Sequence, residues 1–254
     1  GRKRQIEAPH QGEFVGREQE LLRLANFIQP LLRGTFAGLL VIWGEAGIGK
    51  SRLIYEMKDL SELGKWNALW AICQSDQILR HSFNPFRYFL LRYFDLTSEM
   101  EEAEQKQIFD AKLDELLART SDPGLVKELN QTRSALGSLL DLSWPDSLYE
   151  RLDAEGRYNN TLLALIALFK AESLRQPVAL FIEDAQFLDE DSKAFLPRLK
   201  RALTAGPVSY PVAILVSSRR AGSDALLDAS ISDASIELGA LPTSALSSLA
   251  EIYL

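Results

Sequence analysis

Four short, unbroken apolar runs punctuate the chain, at residues 38–43, 68–73, 178–182 and 212–216, with a weaker, interrupted fifth at 234–238. Continuous apolarity over so few residues is the pattern of a strand buried on both faces of a parallel sheet. Pro177 and Pro211 introduce the third and fourth runs. Between the runs the apolar positions change to helical spacing. From Arg17 onward Leu21, Leu24, Ala25, Ile28 and Leu32 share one face, and Gly34 ends the segment. A helix is predicted over about 50–60, and another over 191–203, with Phe195, Leu196, Leu199 and Leu203 inward and Asp189 as its cap. Residues from about 75 to 176 read as wholly helical. Ser98-Glu99-Met100-Glu101 fits a capping box opening one of these helices, and 162–169 is a buried helix segment too short to cross a bilayer. Strands alternating with helices imply a mainly parallel sheet with right-handed crossovers. The fold class is therefore α/β, a three-layer domain on a five-stranded sheet with a helical insertion at about 76–176.

Composition adds mostly exclusions. With 254 residues, 46% hydrophobic and 25% charged, the chain is an ordinary globular one. Cys73 is the single cysteine, and His10 and His81 lie far apart, so disulfide pairing within the chain and His/Cys metal chemistry are excluded. A reduced, cytoplasmic setting without membrane insertion is the expectation. Net charge is −7, from 35 acidic and 28 basic residues, which argues against broad nucleic-acid binding through this segment. Residues 1–13, opening with Arg2-Lys3-Arg4, read as a flexible tail rather than a targeting peptide, because no apolar stretch follows.

The chemistry concentrates after the first strand. Gly44-Glu45-Ala46-Gly47-Ile48-Gly49-Lys50-Ser51 satisfies G-x-x-x-x-G-K-[ST] in full. Glycines let successive N–H groups point inward as an anion site, and the following helix adds its positive end. Lys50 supplies a point charge for the β- and γ-phosphates of a nucleotide. The Ser51 hydroxyl suits Mg²⁺, which prefers hard oxygen donors. Phosphoryl transfer also needs a carboxylate near the metal and a group to orient water. Glu183 and Asp184, directly after the third strand, stand where a parallel sheet builds its sites. As neighbours along a strand they point to opposite faces, which divides the two tasks between them without saying which takes which. After the fourth strand, Ser217-Ser218-Arg219-Arg220 brings arginine within range of the γ-phosphate.

Together these segments resemble the STAND class of signalling ATPases, relatives of the AAA+ and origin-recognition ATPases, in particular the ATPase domain of large LuxR-type activators and of bacterial regulators with helical-repeat sensors. Phe14-Val15-Gly16-Arg17-Glu18-Gln19-Glu20-Leu21 is similar to the family's hydrophobic-hydrophobic-Gly-Arg-Glu segment. The resemblance implies that Val15, Gly16 and Arg17 lie against adenine and ribose, and that the loop from Gly44 to Ser51, with Arg52, holds the phosphates of ATP or ADP. Residues 178–189 resemble the Walker B segment with its trailing polar, aromatic and acidic positions. Glu183 stands where the pattern most often has Asp, so Glu183 and Asp184 stay interchangeable between Mg²⁺ ligand and base. Residues 212–219 resemble the sensor strand, making Ser217 and Arg219 the γ-phosphate readers. By the same resemblance the ATPase domain covers 14–240, and 241–254 begin a helical lid that a longer protein would complete. Self-association, or contact with such a lid and sensor domains, is implied.

Other features claim less. Phe83, Phe86, Phe89, Tyr93 and Phe94, interleaved with Arg80, Arg87 and Arg92, could stack on bases, but their helical spacing favours a core stripe. Residues 95–118 carry eight acidic and two basic side chains, the pattern of a solvated helix face. The function expected is a nucleotide-operated switch with slow, Mg²⁺-dependent ATP hydrolysis. The alternatives are a nucleic-acid-dependent loader and a binding domain without turnover.

Overall fold

The computed structural model describes residues 14–64, 66–75, 78, 81–219 and 231–241. The tail at 1–13, Arg80, Arg220 and nearly all of the expected lid lie outside the described residues. The five apolar runs form five parallel strands: β1 (Gly38–Gly44), β2 (Leu69–Gln74), β3 (Val178–Glu183), β4 (Val212–Ser218) and β5 (Ala234–Leu238), in the order β2-β3-β4-β1-β5. Alternation along β1 divides the core in two. Leu40 and Ile42 pack with Leu24, Ile28, Leu53 and Ile54 from helices α1 (Glu18–Ile28) and α2 (Lys50–Leu63). Leu39 and Val41 belong to the larger cluster on the opposite face.

That larger cluster runs without a break from the sheet into the insertion. It joins α3 (Asn84–Tyr93), α4 (Glu102–Arg119), α5 (Pro123–Ser138), α7 (Ala154–Arg175) and α8 (Glu190–Thr204); the short α6 (Leu148–Arg151) precedes α7. The aromatic stripe is core: Phe83, Phe86, Phe89 and Phe94 are all buried. Phe86 meets Phe195 of α8 edge-on at 4.7 Å, and Phe89 stacks on Phe169 of α7 at 5.7 Å. The last insertion helix, α7, is thus a layer of the sheet domain itself.

Two local expectations need correction. The periodic run after Arg17 does not continue as one α-helix to Leu32. Pro30 has no N–H to give an α-helical bond, and Gln29–Arg33 is instead a 3₁₀ turn closed by Gly34 at φ 73°. Three residues per turn bring Leu31 inward in place of Leu32, which is 62% exposed. The capping box at Ser98 does not form either. Met100 N–H bonds back to the Thr97 carbonyl in a turn, and α4 starts later, after Glu101, with no side-chain cap. Asp189 does cap α8, accepting the Ser192 N–H at 2.8 Å, and it also accepts the Phe83 N–H at 3.2 Å, which ties the start of α3 to the loop after β3.

Candidate nucleotide site

Because β4 lies between β1 and β3, the carboxyl ends of these three strands form one rim. β1 ends at Gly44, where an added Cβ would meet Ile48 Cγ2 at 2.8 Å and the Leu238 carbonyl oxygen at 3.0 Å, so only glycine fits. The chain then turns through Gly47 and Gly49 at φ 74° and 102°, conformations that side chains disfavour. Around both positions the space beyond the backbone is open, with no atom within 4 Å of a would-be Cβ. Glu45, Ala46 and Gly47 are exposed, and α2 begins at Lys50.

Lys50 is 6% exposed, yet its Nζ faces only the loop: it donates to the carbonyls of Gly44 at 3.0 Å and Glu45 at 2.9 Å. Burial pulls its pKa below the ordinary lysine value; Asp184 opposes that shift, Arg219 adds to it and Glu45 opposes it. The ammonium therefore feels charges from the ends of both β3 and β4. A largely desolvated cation resting on carbonyl dipoles is the arrangement an incoming polyphosphate would satisfy better. Ser51 follows it, half-buried in the first turn of α2, and Arg52 is drawn along the helix to Glu56 at 3.7 Å.

The two carboxylates part company as the alternation of a strand requires. Glu183 Oε2 accepts from Gln74 Nε2 on β2 at 2.9 Å. Asp184 leaves the strand in a left-handed conformation, φ 52° and ψ 52°, and its N–H donates to Ser217 Oγ at 3.1 Å. Its Oδ1 accepts from Gln186 Nε2 at 3.1 Å. Ser217 and Ser218 are buried at the end of β4, while Arg219 is exposed and lays its guanidinium 5.8 Å from the Phe187 ring centre. Thus Asp184 is tied to the end of β4, and its charge acts on Lys50, whereas Glu183 is held by β2.

The segment before α1 sits at the other edge of the rim. Val15 and Gly16 are half-buried, and Gly16 N–H donates to Glu18 Oε1 at 2.9 Å. Arg17 is buried, ion-paired to Glu20 at 3.1 Å and donating to the Gly239 carbonyl. Its guanidinium therefore ties the start of α1 to the chain leaving β5. Oxygen donors are available for a metal in Ser51, Glu183 and Asp184, yet no group of three or more His, Cys, Asp or Glu gathers among the described residues. Such a sparse set of hard donors fits Mg²⁺, which takes one or two protein ligands and fills its octahedron with water and phosphate oxygens, and does not fit zinc. Cys73 is buried inside the core, which raises its thiol pKa and keeps it out of this chemistry.

Residues 13–215 match the family described as AAA ATPase domain. The chain belongs to that family. Its five-stranded parallel sheet and phosphate loop are accordingly those of an AAA+ P-loop ATPase, a nucleotide-binding fold whose members work with ATP or ADP and Mg²⁺. An uncharacterized protein of Rhizobium meliloti (strain 1021) is 27% identical over 224 residues, covering 86% of this chain but 20% of that protein. The AAA ATPase domain described here therefore spans about a fifth of that relative's length. Among solved structures, Orc1 of Aeropyrum pernix in complex with DNA is 14% identical with a TM-score of 0.48, over 94% of this chain and 49% of that one. Cdc6p from Pyrobaculum aerophilum is 16% identical with a TM-score of 0.49, over 92% and 46% of the two chains. Among the described residues no helix is long and apolar enough to cross a membrane.

Two polar residues at the rim escaped the sequence reading, Gln74 and Gln186. Gln74 follows an apolar run that reads as ending at Cys73, and Gln186 is one polar position inside a motif whose acids take the attention. Nothing in its spacing marks Gln74, and Gln186 stands out only as the trailing polar position of the Walker B resemblance.

Proposed function

We propose that this AAA ATPase domain is the nucleotide-operated switch of a longer, cytoplasmic STAND-class signalling ATPase, in which ATP with Mg²⁺ holds one state and slow hydrolysis resets it. The observation that carries the reading is the complete phosphate loop from Gly44 to Ser51 at a rim where β3 and β4 are tied together beyond their ladder by the bond from Asp184 N–H to Ser217 Oγ at 3.1 Å. In this reading the loop N–H groups and Lys50 bind the phosphates, and Val15, Gly16 and Arg17 flank the base and ribose. Ser51, together with Glu183 or Asp184, would hold Mg²⁺, which neutralises charge on the β- and γ-phosphates. The bond from Gln74 favours Glu183 as the more fixed carboxylate, and its position near Lys50 favours Asp184 as the one that orients water. Arg219, with Ser217 behind it, reports whether a γ-phosphate is present.

Slow turnover is expected because efficient phosphoryl transfer calls for a further positive charge at the γ-phosphate, an effect on the order of 10³–10⁵ in rate. In the proposed cycle Arg219 reads the phosphate, and the accelerating charge comes from a second copy or from a neighbouring domain of the longer protein. The relative's much greater length is consistent with such neighbours.

The test is ATP hydrolysis by the chain with and without DNA, alongside Asp184→Ala. The variant is expected to lose turnover while keeping ATP affinity within a few-fold, since the loop and Lys50 make most phosphate contacts. Rapid multiple turnover by the monomer would overturn the switch reading, and strong stimulation by DNA would favour a nucleic-acid loader instead.

A further inference from the structure

The backbone ladder between β3 and β4 ends at the pair Ile182–Val216, yet the two chains stay joined beyond it. Asp184 N–H reaches Ser217 Oγ, and the Gln186 side chain makes the rest of the connection. Gln186 Oε1 accepts the Arg219 backbone N–H at 3.1 Å and the Ser218 hydroxyl at 3.4 Å, while its Nε2 donates to Asp184 Oδ1 at 3.1 Å. The orientation of this amide is fixed chemically. A backbone N–H can only donate, so the atom facing Arg219 is the oxygen, and the atom facing Asp184 is then the NH₂ group. Phe187 follows directly and carries the Arg219 guanidinium over its ring. Consecutive residues of one 3₁₀ turn, Ala185–Phe187, thus hold the Asp184 carboxylate, the Arg219 backbone and the Arg219 side chain.

We propose that Gln186 is a positioning residue that couples the γ-phosphate reader Arg219 to the carboxylate of Asp184. One rigid amide fixes the separation of the two groups, so a movement of the Arg219 backbone toward or away from a γ-phosphate is passed to Asp184 without touching the phosphate loop. The proposal rests on the ATPase reading above and adds to it a specific means by which the presence of ATP, as opposed to ADP, is transmitted. Alternation, left-handed geometry and the backbone bond to Ser217 Oγ would place Asp184 beside the sensor strand but would leave its carboxylate unconnected to Arg219.

The experiment compares the chain with Gln186→Met, which keeps length and removes all three bonds, and Gln186→Glu, which keeps an acceptor for the Arg219 N–H but sets a carboxylate against Asp184. Single-turnover ATP hydrolysis is read together with ATP and ADP affinity by calorimetry, and thermal unfolding is followed in parallel. Both variants are expected to hydrolyse ATP roughly ten- to a hundredfold more slowly, the span set by a hydrogen bond to a charged group, with ADP affinity within twofold of the parent. Gln186→Met is further expected to lower the ratio of ATP to ADP affinity, and to do so by no more in an Arg219→Ala background than Arg219→Ala does alone. A residue of merely structural importance would lower the unfolding temperature and weaken both nucleotides equally, and that result overturns the proposal, as do unchanged hydrolysis and an unchanged ATP-to-ADP ratio. If the parent chain hydrolyses nothing, the affinity ratio still decides. If the parent binds neither nucleotide, it is the ATPase reading that fails, and this coupling falls with it.

Discussion

The helical insertion and the rim of the sheet are built on opposite terms. In the insertion, Phe86 of α3 and Phe169 of α7 meet Phe195 of α8, and Phe89 stacks on Phe169, all four buried, so that each ring's partner is another ring. At the rim a lysine is buried against carbonyls and polar side chains bridge β3 and β4 beyond their last paired residues, whereas left-handed backbone is common to both regions, at Gly47, Gly49 and Asp184 here and at Phe83, Asp95, Asp141 and Asp146 in the insertion. The first region gains free energy from removing apolar surface from water. The second places a cation on carbonyl dipoles, where a bound anion would satisfy it better than the fold does. Stability and function therefore occupy different parts of one continuous fold, and mutation should separate them.

The largest expected effect lies in the insertion. Phe169→Ala removes a fully buried ring with Phe86, Phe89 and Phe195 around it, and is expected to cost about 3–5 kcal/mol of stability in urea unfolding. The folded fraction should still bind nucleotide with affinity within about twofold of the parent; a large loss of affinity would show that the insertion and the rim are not separable in this way.

Next comes Lys50→Ala, which removes the charge that the loop reserves for phosphate. Nucleotide affinity by calorimetry is expected to fall on the order of 10–100-fold, the scale of a lost charge-assisted hydrogen bond. The unfolding free energy should change little or rise, because a desolvated cation leaves the fold. Unchanged affinity would remove Lys50 from the site.

The smallest effect is a pH dependence. Burial lowers the Lys50 pKa from its ordinary 10.5 in the free protein. Phosphate contacts favour the charged form and raise that pKa in the complex, so binding takes up a proton in the window between the two values. Affinity should therefore be full below the free-protein pKa and fall as pH rises through it, by no more than about tenfold per pH unit for one proton. Lys50→Arg, charged throughout, should flatten the fall. A fall of equal steepness in that variant would assign the dependence to another group.

How much of this was legible beforehand varies with how local the cause is. The five strands and the loop from Gly44 to Ser51 are written in contiguous residues: apolar runs have a single economical fate in a chain of this size, and a glycine-lysine spacing encodes its own turn. The Asp189 cap is equally local. Leu32 was misplaced because Pro30 changed the helical period two residues earlier, and the Ser98 box because a tighter turn claimed the same backbone. Both misreadings are contests between neighbouring signals, the first decided by the roughly 3 kcal/mol that a proline costs inside an α-helix and the second by about one kcal/mol of capping preference.

Sequence alone thus determined the fold class, the phosphate loop and the identity of the acids at the end of β3, because each depends on residues adjacent in the chain. Only the tertiary structure decided that Asp184 is tied to Ser217, that Arg17 is bound to Gly239, that Glu183 is held by Gln74, and that Gln186 spans Asp184 and Arg219. Those pairings join strands whose order in the sheet differs from their order in the chain. A hydrogen bond between residues 109 or 222 positions apart leaves no periodic trace in sequence, since its partners are brought together by strand order and register rather than by spacing.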